Sequence, residues 1–271
     1  MRHRVRRGHR TVRHPAPGTV RAVPGRRPRG ADRRGRMDAG VVGHSGTMGG
    51  TRDEARLRQE LVFHYERVEA LGLNELSSGN LSVRFGDGML ISASGASAES
   101  IAEESVVEVS LDGAWAGEFK PSSEWRMHAA IYRRHPEAGA VVHTHSDYCV
   151  AVASHNRPLP GFHYLVGVFG GNDVPCVPYS TFGTQALADD AAQALTHRTA
   201  CLLGQHGMIC RARDLARAVK TAHRLEIMCR QYVLACRLGE PARLTDAEWE
   251  EFHRRVRDVP YDDGGRAGEG T

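Results

Sequence analysis

The sequence predicts an α+β fold with three layers, α/β/α, in which a largely antiparallel central sheet lies between helices. Two apolar runs flank Gly86-Asp87-Gly88 and two more flank the turn at 204–207, so both pairs are expected to form antiparallel hairpins. Helical patterns occur between these hairpins without the strict strand-helix alternation that is typical of a parallel sheet. Together these observations favour antiparallel strand pairs covered by helices.

The first half of the folded region is predicted to begin with a helix and a hairpin. Residues 53–72 have the spacing of an amphipathic helix that Gly72 ends. Its apolar stripe comprises Leu57, Leu61, Phe63, Val68 and Leu71. Strands are predicted at 80–85 and 89–92, because Asp87-Gly88 can supply the positive φ of a tight turn. The remaining elements of this half are a strand at 106–111 and a helix at 122–134, which ends before Pro136.

The second half is predicted to mix helices with short strands. The apolar run 138–142 indicates a buried strand that leads into His143. Further helices are predicted at 147–154, 182–197 and 214–238, and further strands at 199–203 and 208–211. The longest helix carries an apolar face made of Leu215, Val219, Ala222, Leu225, Cys229, Tyr232 and Cys236. Thr245 and Glu248 have the capping-box spacing that starts a last helix.

The composition of the 271-residue chain is that of a globular protein, since 41% of its residues are hydrophobic. No apolar run reaches the roughly 18 to 20 residues that a membrane-spanning helix needs, so no membrane span is expected. The six cysteines form no Cys-x-x-Cys pair and lie within apolar stretches. This pattern favours reduced core thiols in a cytoplasmic protein over a disulfide framework.

The formal net charge of +4 averages two unlike parts of the chain. Residues 1–36 contain thirteen arginines and one acid, for a charge of +12, whereas the rest of the chain carries −8. A basic arm can bind nucleic acid, but the acidic remainder argues against that function. We expect a disordered arginine-rich extension at 1–50, with Met37 or Met48 as an alternative start, a folded domain at 51–257 and a flexible tail at 258–271.

The feature most indicative of function is His143-Thr144-His145, which follows the strand predicted at 138–142. Alternate residues of a strand share a face, so the two imidazoles are expected to project together. His206, in the turn at 204–207, offers a third imidazole. Neutral imidazoles suit Zn²⁺, and three protein ligands with one open position are usual in a catalytic zinc site. The alternative is a chance pattern, since the chain has fifteen histidines.

Three loops rich in glycine, serine and asparagine suit a phosphate group. Small residues let backbone N–H groups approach an anion, and hydroxyl and amide groups can donate hydrogen bonds to it. Each loop taken singly can equally be a turn or a helix cap. The three loops are Ser78-Gly79-Asn80, Ser92-Ala93-Ser94-Gly95 and Pro121-Ser122-Ser123-Glu124.

Two further side chains are candidates for proton transfer. Glu124 is expected in the first turn of the helix predicted at 122–134, where the helix dipole stabilises any carboxylate. If that helix end points at a metal, Glu124 could ligate the ion or take a proton from carbon. Tyr164 could supply a phenol as a proton donor, although as an isolated feature it would be an ordinary half-buried tyrosine.

The order of these motifs resembles that of the L-fuculose-phosphate aldolase family, within the class II aldolase and adducin head superfamily. The resemblance covers about residues 53–255. The motifs that carry it are Gly72-Leu73-Asn74, Ser78-Gly79-Asn80-Leu81-Ser82-Val83-Arg84, Asp87-Gly88-Met89-Leu90-Ile91, Pro121-Ser122-Ser123-Glu124-Trp125-Arg126, Val141-Val142-His143-Thr144-His145, His163-Tyr164, Gly170-Gly171-Asn172, Pro178-Tyr179-Ser180-Thr181-Phe182-Gly183-Thr184 and Gln205-His206-Gly207.

The resemblance implies a zinc-dependent lyase, with 51–257 as its catalytic domain, that cleaves a sugar phosphate to dihydroxyacetone phosphate and an aldehyde. It implies one Zn²⁺ per subunit, held by His143, His145 and His206 with Glu124 as a fourth ligand in the resting state. Glu124 would then leave the metal and act as the acid/base at carbon. The resemblance further implies that the phosphate is bound by Gly79, Asn80, Ser94, Gly95, Ser122 and Ser123.

The resemblance also implies a cyclic homotetramer, in which Tyr164 reaches the site of a neighbouring subunit and protonates the oxygen derived from the aldehyde. Tyr261 is the only candidate here for a second tyrosine that lies near the family's site.

Several alternatives stay open beside this interpretation. Pentulose-5-phosphate 4-epimerases of the superfamily tend to have aspartate where this chain has Glu124, and Trp125-Arg126 looks like the aldolase form. A methylthioribulose-phosphate dehydratase is a further relative. A non-enzymatic adducin-like interaction module would be expected to have lost the histidine set. The sequence does not distinguish fuculose, rhamnulose, ribulose and 5-deoxyribulose phosphates as substrates.

Overall fold

A seven-stranded sheet forms the centre of the computed structural model, which describes residues 48–258. Its strands are β1 (Asn80–Phe85), β2 (Gly88–Ser92), β3 (Val106–Ser110), β4 (Ala140–Thr144), β5 (Cys176–Val177), β6 (Ala200–Leu203) and β7 (Gly207–Ala212). They are ordered β3-β2-β1-β4-β7-β6-β5, and within this sheet only the short β5–β6 pair is parallel. The predicted, largely antiparallel sheet is confirmed.

Helices cover both faces of the sheet. They are α1 (Met48–Ala70), α2 (Trp125–Arg134), α3 (Asp147–Ala153), α4 (Gln185–Ala194), α5 (Leu215–Cys236) and α6 (Asp246–Asp258). One hydrophobic cluster joins the sheet to α1, α3 and α5, and a second joins it to α2 and α4. The three-layer α+β class is therefore confirmed.

The alternation of side chains along β4 decides which layer receives the first histidine. Ala140 and Val142 belong to the cluster that contains α5, whereas Val141 belongs to the cluster that contains α2 and α4. Because alternate residues share a face, His143 points to the same side as Val141. The functional side chain thus emerges from the sheet toward the N-terminus of α2.

The β1–β2 hairpin has a two-residue turn, because Phe85 pairs with Gly88. The positive φ occurs at Gly86 (+50°). The prediction that Asp87-Gly88 would supply it is therefore wrong. Gly88 already lies in β2, where a Cβ atom would collide with the Val109 carbonyl of β3. Glycine is required at 86 by backbone conformation and at 88 by the close approach of the next strand.

Two helices begin later than predicted. The segment before α2 is bound to the end of β2, because the Ser122 N–H donates to the Ser92 carbonyl, and α2 starts only at Trp125. Thr184 caps α4 by accepting from the Leu187 N–H, so Phe182 lies before the helix and is 64% exposed. The C-terminal end of the helix predicted at 182–197 is a separate 3₁₀ turn, Leu195–His197.

The remaining differences concern the start of α1, the burial of Phe63 and two elements that were not predicted. Helix α1 starts at Met48, earlier than the predicted 53, and Gly72 follows its end with a φ of +67°. Phe63 is 57% exposed and does not belong to the buried stripe. The capping box at the start of α6 is confirmed, since Thr245 N–H donates to Glu248 and Glu248 N–H donates to the Thr245 hydroxyl. Neither β5 nor the 3₁₀ helix Tyr164–Phe169 was predicted.

The buried face of α5 is shorter than predicted. Leu215, Val219, Ala222, Leu225 and Cys229 are buried, whereas Tyr232 is only partly buried and Cys236 is exposed. All six cysteines are free thiols, and the prediction of core thiols is wrong for Cys236. The last two turns of α5 are therefore only partly buried, with Tyr232 and Val233 packed against the core.

No helix within residues 48–258 is long and apolar enough to cross a membrane. The predicted extension at 1–50, apart from its last three residues, lies outside the described residues, as do Tyr261 and the tail after Asp258. The proposed domain boundaries and the alternative start at Met37 stay predictions.

Candidate active site

Three imidazoles meet at the end of the central strand β4. His143 is the fourth residue of that strand and is fully buried, and His145 follows one residue after its end. Their Nε2 atoms lie 2.9 Å apart. The ring of His206 lies 4.9 Å from that of His143 and 4.8 Å from that of His145, measured between centroids. The expected convergence of all three histidines is therefore present.

His206 reaches this point through the tight connection between β6 and β7. Gln205 has a left-handed backbone with a φ of +50°, and the His206 N–H donates to the Leu203 carbonyl. Gly207 lies so close to the Thr144 carbonyl of β4 that a Cβ atom would collide with it. Because β7 pairs with β4, this turn brings His206 beside residues more than 60 positions earlier in the chain.

Glu124 completes the group from the other side, but not from the predicted position. It is the N-cap residue of α2, with φ −99° and ψ 13°, instead of a residue of the first helical turn. Its side chain makes no capping hydrogen bond. Instead, Oε2 lies 2.9 Å from His143 Nε2 and Oε1 lies 3.4 Å from His206 Nε2. The carboxylate is thus directed at the imidazoles and not at the helix backbone.

The four residues, here called the His–Glu cluster, have the donor chemistry of a metal site. The ligand atoms of Glu124, His143, His145 and His206 all lie within 4.8 Å of one another. His143 Nδ1 lies 2.8 Å from the Met208 carbonyl oxygen, which can only accept, so Nδ1 carries the ring proton. In the neutral ring Nε2 then presents a lone pair, which faces His145 Nε2 and the Glu124 carboxylate.

Lone pairs directed at one another at such distances are stabilised by a positive charge between them, which a metal ion or a proton can supply. Glu124 Oε1 is buried and has no hydrogen-bond partner, which also leaves it available as a ligand. Imidazole nitrogens and a carboxylate oxygen are ligands that transition-metal ions and Zn²⁺ accept. The residues present therefore fit a metal ion, and the second-layer contact from His143 to Met208 fixes the tautomer that ligation needs.

The electrostatics of the cluster favour the ligating protonation states. Burial and the neighbouring His143 lower the pKa of His145 to about 3 and that of His206 to about 4. Burial works to raise the pKa of the Glu124 carboxyl, but the interaction with His143 and the hydrogen bond from Asn80 hold it below its usual range. At neutral pH His145 and His206 are therefore uncharged, and Glu124 is ionised, as metal binding requires.

The predicted phosphate ligands lie on segments around this cluster. Asn80 begins β1 and pairs with His143, and its Nδ2 donates to Glu124 Oε2 at 3.3 Å. The loops that contain Ser94 and Ser122 are joined by the Ala93–Pro121 bridge. Within them the Ser94 N–H donates to Lys120 and the Ser122 N–H donates to Ser92, so neither is available to a ligand.

Gly79 is buried against the cluster, because a Cβ atom there would lie 2.8 Å from the His143 carbonyl oxygen. Gly95 has a φ of +79°, and Ser94 and Ser123 are exposed. The hydroxyl of Ser122 accepts from the Glu124 N–H at 3.3 Å. The side chains of Ser94 and Ser123 are therefore the groups in these loops that are most accessible to an anion.

A pocket of about 330 Å³ opens onto the cluster. Its lining comprises Ser78, Ser123, Glu124, His145, Tyr179, Ser180, Phe182, Gln205 and His206. Tyr179 and Phe182 form an exposed aromatic wall, and neither was predicted as a site residue. Their only sequence signal was membership of the motif at 178–184, which carries no recognisable metal or acid/base chemistry.

Tyr164 is not brought to this pocket within the chain. It starts the 3₁₀ helix Tyr164–Phe169 that packs against α6, its ring stacks on His163 at 4.8 Å, and its side chain is 43% exposed. The ring centroid of Phe252, on α6, lies 6.0 Å away. A role for Tyr164 in the chemistry therefore requires another copy of the chain.

Comparison with known proteins identifies the family of this chain. Residues 59–233 match the family model described as the Class II Aldolase and Adducin N-terminal domain. A 5-methylthioribulose-1-phosphate/5-deoxyribulose-1-phosphate aldolase of Rhodospirillum rubrum is 44% identical over 201 residues, which span 74% of this chain and 91% of the relative. An L-fuculose phosphate aldolase of Escherichia coli O6:H1 is 39% identical over 193 residues, 71% of this chain and 90% of that one.

Among solved structures, an L-fuculose 1-phosphate aldolase superposes with a TM-score of 0.71 and 34% identity, covering 74% of this chain and 96% of that one. The region matched by the family model, residues 59–233, includes both the sheet and the segments that carry the His–Glu cluster. The chain therefore belongs to the class II aldolase and adducin N-terminal domain family, and it is a lyase of the aldolase kind.

Proposed function

We propose that this chain is a zinc-dependent aldolase that cleaves a ketose 1-phosphate between C3 and C4 to dihydroxyacetone phosphate and an aldehyde. The observation that carries the proposal is the convergence of three imidazoles and one ionised carboxylate beside an open pocket. His143, His145, His206 and Glu124 would hold the zinc ion. When bound, zinc supplies a Lewis acid that stabilises negative charge developing on the ketose oxygens.

Glu124 is the proposed acid/base at C3. In cleavage Tyr164 of a neighbouring subunit takes the proton of the C4 hydroxyl, and the C3–C4 bond breaks and leaves its electron pair on C3. Glu124 then delivers a proton to C3 to give dihydroxyacetone phosphate. Glu124 Oε1 has no hydrogen-bond partner, whereas Oε2 is held by Asn80 and faces His143. One oxygen of the carboxylate is therefore anchored and the other is available for proton transfer.

The phosphate is proposed to lie against Gly79, Asn80, Ser94, Gly95, Ser122 and Ser123. These residues supply hydroxyl and amide donors without a cationic side chain, and they border the cluster. A neutral cradle of this kind can bind a dianion through several hydrogen bonds. A cytoplasmic location is also proposed, which the six free thiols support.

The substrate class is tested with a panel of ketose phosphates and the zinc-loaded protein. The panel contains L-fuculose 1-phosphate, 5-deoxyribulose 1-phosphate and 5-methylthioribulose 1-phosphate, because relatives at 35–44% identity are named for these compounds. Release of dihydroxyacetone phosphate is measured with a coupled enzyme. We expect release from at least one of the three and none after removal of the metal with a chelator.

A pentulose 5-phosphate is the control in the same assay. It lacks the C1 phosphate, so an aldolase of the proposed kind releases no dihydroxyacetone phosphate from it. Inversion at C4 of the pentulose 5-phosphate, without cleavage of any 1-phosphate, would contradict the aldolase assignment and favour the epimerase alternative. Loss of water from 5-methylthioribulose 1-phosphate, without cleavage, would favour the dehydratase.

We further propose a homotetramer in which Tyr164 of one subunit serves the site of the next. The exposure of Tyr164 and its position beside α6 support this arrangement. Tyr164→Phe and Glu124→Gln are each expected to be nearly inactive. When the two variants are refolded together in equal amounts, a site with both native groups forms where a Glu124→Gln subunit precedes a Tyr164→Phe subunit.

Random mixing in a cyclic oligomer places this combination at about a quarter of the sites, so about a quarter of wild-type activity is expected. Light scattering measures the molar mass of the same samples. If Tyr164 acted within its own subunit, no mixture could restore activity, and a monomeric, fully active wild type would contradict the proposal outright.

A further inference from the structure

A series of buried polar side chains runs from the core to the carboxylate of Glu124. His128, on α2, lies between two polar residues of β1 that share one face of the strand. Its Nδ1 is 2.7 Å from the Ser82 hydroxyl and its Nε2 is 2.6 Å from Asn80 Oδ1. Ser82 in turn lies 2.9 Å from the hydroxyl of Tyr132, and Asn80 Nδ2 donates to Glu124 Oε2.

The direction of every hydrogen bond in this series follows from its carboxylate end. Glu124 is ionised and can only accept, so the amide nitrogen of Asn80 faces it and Oδ1 faces His128. Oδ1 can only accept, so His128 Nε2 carries the ring proton. Burial lowers the pKa of His128 to about 3, so the ring is neutral and Nδ1 accepts from the Ser82 hydroxyl.

Packing alone does not explain a histidine at this position. His128 is fully buried, and its neighbours on α2 are Met127, Ala129, Ala130 and Ile131, all in the apolar cluster between α2 and the sheet. An apolar side chain would avoid the cost of burying polar groups here. The polar series instead ends on the one carboxylate of the His–Glu cluster, through a single amide.

We propose that His128 is a positioning residue, which holds the Asn80 amide so that its N–H group faces the Glu124 carboxylate. This inference rests on the proposed function, in which Glu124 ligates zinc and acts on carbon. Without the donor at His128 Nε2, the Asn80 amide is free to rotate, and its oxygen would then face the carboxylate and repel it. Glu124 would lose the contact that anchors Oε2, and both zinc binding and proton transfer would suffer.

Two substitutions at the same position separate this role from simple packing. The side-chain amide of His128→Gln places a donor near the position of Nε2, whereas the shorter side chain of His128→Asn places its polar atoms near Nδ1, toward Ser82. Tyr132→Phe is the matched control, because it removes a buried hydroxyl from the far end of the series and leaves the Ser82–His128–Asn80 contacts in place.

The measurements are kcat and KM for the ketose 1-phosphate, zinc affinity by competition with a chelator, thermal unfolding, and crystal structures of the metal-free proteins. In His128→Asn we expect kcat and zinc affinity to fall by about 10- to 100-fold, with KM changed by less than about threefold. His128→Gln and Tyr132→Phe are expected to stay within about threefold of wild type in kcat and zinc affinity. In the crystals, the Asn80–Glu124 contact should persist in His128→Gln and be lost in His128→Asn.

Equal losses in all three variants would show that only packing matters and would overturn the proposal. So would wild-type kcat and zinc affinity in a folded His128→Asn. If His128→Asn does not fold, His128→Met decides, since it fills a similar volume but carries no donor toward Asn80 Oδ1. Equal kcat in His128→Met and His128→Gln would refute the role. If the wild type itself neither binds zinc nor cleaves a ketose phosphate, the proposed function fails. The crystal structures then still test the positioning role of His128, because they show whether the Asn80–Glu124 contact depends on it.

Discussion

Replacement of Glu124 by glutamine is expected to lower turnover by about 10²- to 10⁴-fold while the protein stays folded. Glutamine keeps the size of the side chain and can still accept the hydrogen bond from Asn80, but it cannot take a proton from carbon. Stability should change little, because the Glu124 side chain makes no capping hydrogen bond to α2. A carboxylate that served only the helix dipole would contribute about 0.3 to 1 kcal/mol to folding and nothing to the reaction.

The decisive measurement is exchange of the C3 proton of dihydroxyacetone phosphate with solvent, followed by NMR in the zinc-loaded variant. This half-reaction needs the base but no aldehyde, so it isolates the role of Glu124 from that of Tyr164. Metal content is measured in the same sample, because Glu124 is also a proposed ligand. Glu75→Gln is the control, since Glu75 is an exposed carboxylate outside the cluster. Exchange at the wild-type rate in Glu124→Gln would exclude the proposed role.

Removal of the His206 imidazole is expected to abolish most zinc binding and, with it, activity. The wild type should hold about one zinc ion per chain, because three imidazoles with one open position form the usual catalytic site. His206→Ala leaves His143, His145 and Glu124, and it opens the side of the cluster toward the pocket. We expect its zinc content after dialysis to fall below about a tenth of an ion per chain and turnover to fall by at least about 10³-fold.

Elemental analysis of dialysed protein measures the zinc content, and the coupled assay measures turnover. His155→Ala is the matched control, because His155 is exposed and lies outside the cluster. It should keep the metal and the rate of the wild type. An active wild type without any transition metal, or a His206→Ala protein that retains both zinc and rate, would refute the metal hypothesis.

The sequence predicts the parts of this site that depend on strand geometry. His143 and His145 are two residues apart at the end of an apolar run, so their common direction follows from the period of a strand. The two hairpins could be recognised from their turns, and they account for two of the five antiparallel strand pairs of this sheet. The turns do not predict which strands lie beside β4. The pairing of β4 with β7 brings His206 to the cluster.

Features that depend on contacts between distant segments could not be predicted in this way. The start of α2 is shifted because residues 121–122 bind the end of β2, so Glu124 becomes an N-cap residue. Tyr179 and Phe182, which form the aromatic wall of the pocket, lie in the loop before α4. That loop is longer than expected because α4 begins three residues later than predicted. His128 carried no signal at all, because a histidine within a helical pattern is usually assigned to packing or to the surface.

The alternation of polar and apolar residues on β1 and β4 also has a consequence for folding fidelity. Asn80, Ser82 and His143 lie on the face toward α2, whereas Leu81, Val83 and Val142 lie on the opposite face. A slip of one residue in the β1–β4 pairing would exchange these faces and bury the polar set among the side chains of α1 and α5. Misregistered chains would therefore lack both a stable core and a place for the metal, so zinc uptake should report correct strand alignment during refolding.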